Sequence, residues 1–199
     1  AFKQSLLLYV CGVSIAKTIV ITGATKGIGR AIAIKFGAAG FNLALCARTA
    51  KDLKALKATI AATGTKAEIL IQTCDVSKKN DAEAFGDKVL KQFGAVDIII
   101  NNAGVFLPGQ VYKEKPGTLE KLMATNLYSA YHLTRRLLPP MIKKKRGHIF
   151  SMCSVSRIGA YPNGGSYSIS KFALLGFSKA LREELKPFNI KVTALIAGA

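Results

Sequence analysis

The stretch Lys17–Gly29, KTIVITGATKGIG, decides the fold. Its first six residues are apolar and β-branched, the composition of a strand buried on both faces. Thr22–Gly29 then spaces its glycines as G-xxx-G-x-G, and Ile28–Ala39 takes up a helical pattern closed by Gly40. Strand, glycine-rich turn and helix in that order open a βαβ unit. The N-terminus of such a helix offers free N–H groups and a favourable dipole to an anion. Gly23 permits the tight turn, and Gly27 and Gly29 let backbone and helix approach a pyrophosphate. Gly23, Thr25, Lys26, Gly27, Ile28 and Gly29 are therefore the expected dinucleotide contacts of this loop. The glycines alone would be weak evidence; the strand before them and the helix after them make the assignment.

The alternation continues outward. Phe41–Ala47, Ala67–Cys74, Val96–Ile100, His148–Cys153 and Ile190–Ile196 read as further strands. Lys51–Ala62, Asp81–Phe93, Thr118–Ile142 and Ser166–Lys186 read as helices. Pro139-Pro140 is expected to disturb the end of the Thr118–Ile142 helix, and Pro187 to stop the last one. Near-continuous apolar strands alternating with helices imply an α/β fold, a parallel sheet covered on both faces in three αβα layers.

Composition narrows the function classes. The chain has 199 residues, half of them hydrophobic and only 20% charged, so it is too apolar to be disordered and long enough for one well-buried core. The net charge of +18 points to an anionic partner, but the basic residues spread through both halves. The one dense run, Lys143-Lys144-Lys145-Arg146, reads as a solvated helix end where cations suit the dipole. Tryptophan is absent and no aromatic residues interleave with the basic ones, so no nucleic-acid surface is expected. Cys11, Cys46, Cys74 and Cys153 form no CxxC pair and no zinc spacing, so no metal site is expected. Three of them end apolar runs, which reads as buried free thiols in a reducing, cytoplasmic setting. Leu6–Ala16, the longest apolar run, has 11 residues against the roughly 17 that span a bilayer, so no membrane span is expected. Residues 1–16 read as an N-terminal extension, signal-like or an extra strand-like arm, ahead of a single domain over 17–199.

The end of the second strand selects the dinucleotide. An NAD site places Asp or Glu there for the ribose 2′-hydroxyl, whereas this chain has Cys46-Ala47-Arg48-Thr49, with no acid before Asp52. Arg48 and Lys26 suit a 2′-phosphate, so NADP(H) is the expected cofactor.

Tyr167 and Lys171 stand four apart at the start of a helix, on one face and one turn apart. An ammonium in that position stabilises a phenolate, fitting Tyr167 to exchange a proton with a ketone oxygen while hydride arrives. Such a pair is a common accident by itself. Ser154 adds to it: it ends the fifth strand 13 residues earlier, and carboxyl ends of parallel strands line the ligand crevice.

Together these motifs resemble the short-chain dehydrogenase/reductase family, the single-domain Rossmann type, over residues 17–199. The resemblance rests on TGATKGIG (22–29), Asp75-Val76, NNAG (101–104), Asn126 in TNLYSAYHLT, Ser154, Tyr167/Lys171 in YSISK, and the Lys191–Gly198 strand. It implies that Tyr167 is the general acid/base and that Lys171 assists it and binds the nicotinamide ribose. It implies that Ser154 orients the carbonyl and that Asn126 holds a proton-relaying water. Asp75 would meet the adenine with Val76 beside it, and Asn102, Ala103 and Gly104 would lie along the cofactor. It also implies pairing into homodimers or homotetramers through the helices carrying Asn126 and Tyr167. Ala197-Gly198 stands where the family usually has Pro-Gly, and the fold is expected to lack the family's usual C-terminal strand, with the substrate loop and helix that accompany it missing after Ala199.

A small-molecule carbonyl or alcohol is the expected substrate. The sharper alternative is a 3-oxoacyl chain on acidic acyl carrier protein, docked by Lys143–Arg146 and Arg182. A basic binding protein that kept the fold and lost activity is the alternative from another class. His132, His148, Tyr128, Tyr131 and Asp97 are expected to pack or cap, and Tyr161 and Asn163 to wall a substrate pocket.

Overall fold

The computed structural model describes residues 17–154 and 161–197. Six parallel strands make one sheet: β1 (Thr18–Thr22), β2 (Asn42–Ala47), β3 (Ile69–Thr73), β4 (Ile98–Asn101), β5 (Gly147–Ser154) and β6 (Ile190–Ala197). Helices α1 (Gly27–Ala38), α2 (Ala50–Ala61), α3 (Lys79–Phe93), α4 (Thr118–Met123), α5 (Ser129–Lys144) and α6 (Gly165–Leu185) connect them. The strand order β3-β2-β1-β4-β5-β6 reverses direction of growth at β1 and β4. This is the doubly wound Rossmann order, and its ligand crevice lies at the carboxyl ends of the strands where the order switches. The expected α/β, three-layer fold is the observed one. Residues 1–16 lie outside the described chain, as does Gly198 of the Ala197-Gly198 pair.

The two faces of the sheet explain the apolar strands. All five residues of β1 are buried. Ile19 and Ile21 point with Leu43 and Leu45 into one layer, against Ala33 of α1 and Leu53, Leu56 and Ile60 of α2. Val20 points the other way with Ala44, Ile99, Ile149 and Val192, against Phe85 and Val89 of α3, Leu133, Leu137 and Met141 of α5, and Leu181 and Leu185 of α6. Successive side chains of a strand serve opposite layers, so a strand at the centre needs apolar residues throughout. Phe85 is fully buried in the second layer. Phe85→Ala is expected to lower unfolding free energy by about 3–5 kcal/mol in a denaturant titration.

One predicted helix differs from the observed one. Thr118–Ile142 is interrupted by a π-helical turn at Ala124–Tyr128 and then runs past the two prolines to Lys144. Pro139 and Pro140 take donors from the carbonyls four residues earlier, on Arg135 and Arg136. Both arginines are exposed, so water can serve those carbonyls. The π turn has its own consequence, because it sets Asn126 into the interior.

Candidate active site

The glycine-rich loop is built from both sides. Ala24 N–H donates to the Cys46 carbonyl at 3.2 Å, tying the loop to the end of β2. Asn102 Nδ2 donates to the carbonyls of Thr22 (2.9 Å) and Gly23 (3.1 Å). Thr22 Oγ1 in turn accepts from the N–H groups of Asn102 (3.1 Å) and Ala103 (3.0 Å). A Cβ on Gly29 would stand 2.5 Å from both Asn102 Nδ2 and the Gly23 oxygen, so no larger residue fits. Gly23 has φ +62°, as the expected tight turn requires. α1 begins without a side-chain cap and without an acid in its first turn. Its first N–H groups therefore remain available to an anion.

A cleft of about 360 Å³ opens above this loop. It brings together Gly23, Thr25, Lys26, Arg48, Asp75, Val76, Ala103 and Gly104 of the expected contacts. Gly27, Ile28, Gly29 and Asn102 do not line it; Asn102 braces the loop from behind and Ile28 is about half exposed. The cleft also has walls that the sequence reading missed, among them Asp52, Ser77, Lys121 and Thr125. Asp52 continues into a neighbouring hollow that Lys26 and Arg30 also line. Asp75 Oδ1 accepts from the Ser77 hydroxyl (2.7 Å) and N–H (3.1 Å). The Ser77 hydroxyl above all, with the Ser77 N–H and nearby Lys78 and Arg48, holds the Asp75 carboxyl below its ordinary value against some burial. The buried thiols of Cys46 and Cys74 meet beneath this end of the cleft.

The other end carries the Tyr167–Lys171 pair on the first turns of α6. Lys171 is buried, with Nζ donating to the Met152 carbonyl of β5 at 2.8 Å. Nζ lies 5.7 Å from the centre of the Tyr167 ring. A Cβ on Gly104 would come within 3.5 Å of Nζ and 3.2 Å of Asn126 Oδ1, so both side chains reach the strand-end loop that lines the cleft. Burial lowers the pKa of Lys171, with the Cys153 thiol opposing. The unfolded chain then binds more protons than the folded one between that lowered value and the 10.5 of a free lysine. Stability contributed by this site is expected to rise with pH across that window. Lys171→Met should flatten that part of the melting-temperature profile; identical profiles would contradict the burial of a charged amine.

Asn126 is buried and fully engaged. Its Oδ1 accepts from Val105 N–H (2.8 Å), and its Nδ2 donates to the Val105 carbonyl (3.1 Å) and Ser170 Oγ (2.9 Å). Ser170 Oγ donates to the Tyr167 carbonyl (2.7 Å). Ser154 ends β5 at the same end of the sheet, in register with Ala197.

The remaining candidates lie outside the cleft. Asp97 accepts from Thr18 N–H (2.9 Å) and pairs with Arg146 (2.8 Å). His148 meets Thr193 Oγ1 (2.8 Å) and stacks on Phe150. Tyr128 and Tyr131 are exposed and contact His132. Tyr161 and Asn163 wall a groove beside the start of α6. Lys143–Arg146 precedes β5, at the opposite end of the sheet from the strand ends that carry the site. Arg182 Nε donates to the Val192 carbonyl (3.0 Å). Neither faces the cleft. Among the described residues no group of three or more metal-ligating side chains assembles. Nor is any described helix long and apolar enough to cross a membrane.

Comparison with known proteins agrees with this architecture. The mouse dehydrogenase/reductase SDR family member 7B is 36% identical over 90% of this chain and 56% of its own length. A fatty acyl-CoA reductase of Acinetobacter baylyi is 34% identical over 90% of this chain and 61% of its own. The chain thus spans little more than half the length of such relatives. A solved metagenomic short-chain oxidoreductase in complex with NADP superposes with a TM-score of 0.87 at 35% identity, covering 94% of this chain and 85% of that one. An NAD+-bound xylitol dehydrogenase superposes with a TM-score of 0.85 at 27% identity, over 92% and 70%. The family described as short chain dehydrogenase matches residues 17–199, and the chain belongs to it.

Proposed function

We propose that the chain catalyses NADPH-dependent reduction of a carbonyl to an alcohol, reversibly, with Tyr167 as the general acid and base. The observation that carries this reading is the buried Lys171 ammonium, set between the Met152 carbonyl and the Gly104 backbone and 5.7 Å from the Tyr167 ring. When bound, the cofactor supplies hydride; the chain supplies orientation and the proton.

The residues present fit a dinucleotide. The cradle that leaves no room for a Cβ on Gly29, and the uncapped α1, suit a pyrophosphate. Asp75 and Val76 would bind the adenine, Ala103 and Gly104 would line the path, and Lys171 would hold ribose hydroxyls. Lys26 and Arg48 share the cleft wall, where they would meet the 2′-phosphate. The NADP-bound relative supports that preference; the family also contains NAD-bound members.

Ser154 orients the substrate oxygen and Tyr167 gives it a proton. Asn126, its side chain tied to Val105 and Ser170, would hold the water that relays protons to Lys171. The buried Cys46, Cys74 and Cys153, present as thiols and not as disulfides, support a reducing compartment, the cytoplasm. The face made by the exposed Tyr128 and Tyr131 and the half-buried Leu127 and Phe177 supports pairing with a second copy.

The substrate side is apolar. Phe106 is about half exposed against Tyr167, and Val111, Tyr112 and Tyr161 are exposed on the adjoining groove. These residues favour an apolar ketone or acyl derivative. The test is a panel of small ketones, long-chain ketones, acyl-CoA thioesters and acyl-carrier thioesters, followed by NADPH oxidation. The reading expects turnover of apolar carbonyls. NADPH-independent binding of an anionic polymer with no turnover of any carbonyl would favour an inactive binding protein.

A further inference from the structure

Tyr167 sits on a helix that does not cap itself. Gly164 occupies its N-cap position, and no side-chain cap is made there. The acceptor comes from another part of the chain. Glu114 Oε1 accepts from Ser166 N–H at 2.9 Å, and its other oxygen accepts from the Ser166 hydroxyl. Glu114 follows the short 3₁₀ turn Val111–Lys113, in the segment that leaves β4 and passes the site.

That segment is fastened to the same region at three further points. Val105 is held by the Asn126 amide, which also reaches Ser170 of α6. Phe106 sets its ring edge-on to Tyr167, with centroids 4.7 Å apart. Gly109 N–H donates to the Asn163 carbonyl at 3.0 Å. The fit around Glu114 is close. A Cβ on Gly165 would lie 2.1 Å from Glu114 Oε1 and 2.5 Å from the Gly109 carbonyl oxygen. A Cβ on Gly109 would lie 2.9 Å from Glu114 Cγ. Gly165 also has φ +42°, so glycine is required there by conformation as well as by space.

We infer that Glu114 is a positioning residue for Tyr167: its carboxylate fixes the first turn of α6 and holds Phe106 against the phenol. The inference rests on the reading of Tyr167 as the proton donor. A carboxylate on the first N–H groups of a helix satisfies orphan donors and interacts favourably with the dipole. Its hydrogen bonds are charge-assisted, hence strong and directional. Tyr167 is the residue after Ser166, so a frayed first turn moves the phenol directly. Displacement of a reacting group by about 1 Å can cost about a hundredfold in rate.

The test compares Glu114→Ala and Glu114→Gln with wild type in the full-length protein. The probe is 9,10-phenanthrenequinone, a planar apolar 1,2-diketone, with NADPH. Glu114→Ala is expected to lower kcat about tenfold to a hundredfold per NADPH-binding site, with NADPH affinity unchanged and a smaller change in KM. Glu114→Gln keeps an acceptor for Ser166 N–H and should recover most of the loss. Amide exchange at Ser166–Ser168 should be faster in the alanine variant and near wild type in the glutamine variant. An unchanged kcat per binding site in Glu114→Ala would overturn the inference, since a merely structural role lowers only the folded fraction. If wild type fails to oxidise NADPH with the quinone while binding both, the proton-donor reading fails instead. Unchanged exchange in Glu114→Ala would then overturn the clasp itself.

Discussion

Tyr167→Phe is expected to lower kcat about a thousandfold on any carbonyl that the wild type reduces, while NADPH binding stays within about twofold. The magnitude is that of losing a positioned general acid, about 10²–10⁴ in rate. The phenyl ring keeps the edge-on contact with Phe106, so packing is preserved and the lost hydroxyl is isolated. Stopped-flow turnover and fluorescence titration of NADPH read the two quantities separately. A parallel loss of both would place Tyr167 in cofactor binding rather than proton transfer. Lys171→Met is the natural partner variant, because Nζ is buried 5.7 Å from the centre of the Tyr167 ring and, on the proposed reading, serves the phenol.

The second large effect concerns the choice of dinucleotide. Lys26→Ala combined with Arg48→Ala is expected to weaken NADPH binding about a hundredfold and to leave NADH binding almost unchanged. Hydrogen bonds to a charged partner contribute about 1.5–3 kcal/mol each, and both of these side chains are exposed, which places the sum toward the lower end. Asp52, which lines the same wall, would then lose two of its cationic neighbours. The ratio of dissociation constants for the two cofactors, measured at low and moderate salt, checks the claim. An unchanged ratio would mean that the 2′-phosphate is met elsewhere, and would leave the NAD form as the better reading.

Much of this arrangement was legible in the sequence, for identifiable reasons. β1 declares itself because both of its faces are buried, so apolar residues run without interruption. The loop after it declares itself because helix and strand approach so closely that only glycine fits at Gly29. The place of Arg48 on the cleft wall and of Tyr167 beside Lys171 was legible because one follows a strand end and the other stands one helical turn from the lysine.

What stayed hidden depends on contacts between distant segments. Asn102 braces the carbonyls of Thr22 and Gly23 across 80 and 79 positions. Glu114 caps α6 across 52. A glutamate between two lysines in a polar loop carries no periodic signal; the one hint was the pair Gly164-Gly165 before Ser166, which leaves the helix without its own cap. The π turn at Asn126 was hidden for a related reason. It adds no residue type that helix propensity would flag, and it is stabilised by the bonds Asn126 makes to Val105 and Ser170. Pro139-Pro140 misled in the opposite direction, because solvent at Arg135 and Arg136 makes the lost bonds tolerable.

The +18 charge has also acquired some detail. Lys26 and Arg48 line the cleft and Lys171 is buried beside Tyr167. Arg146 pairs with Asp97, Arg136 with Asp87 and Lys186 with Glu183. Lys143–Lys145 closes α5 away from the site. Nothing in the structure explains the remaining excess.

On the proposed reading, hydride passes from NADPH to a carbonyl carbon and Tyr167 delivers the proton. That transfer is tested most directly with NADPH deuterated at the transferring position of the nicotinamide and a ketone that wild type reduces, analysing the alcohol by mass spectrometry and NMR. The account predicts one deuterium on the carbinol carbon in wild type, and almost no labelled alcohol from Tyr167→Phe in the same time. An alcohol unlabelled at that carbon, or undiminished labelling with Tyr167→Phe, would contradict it.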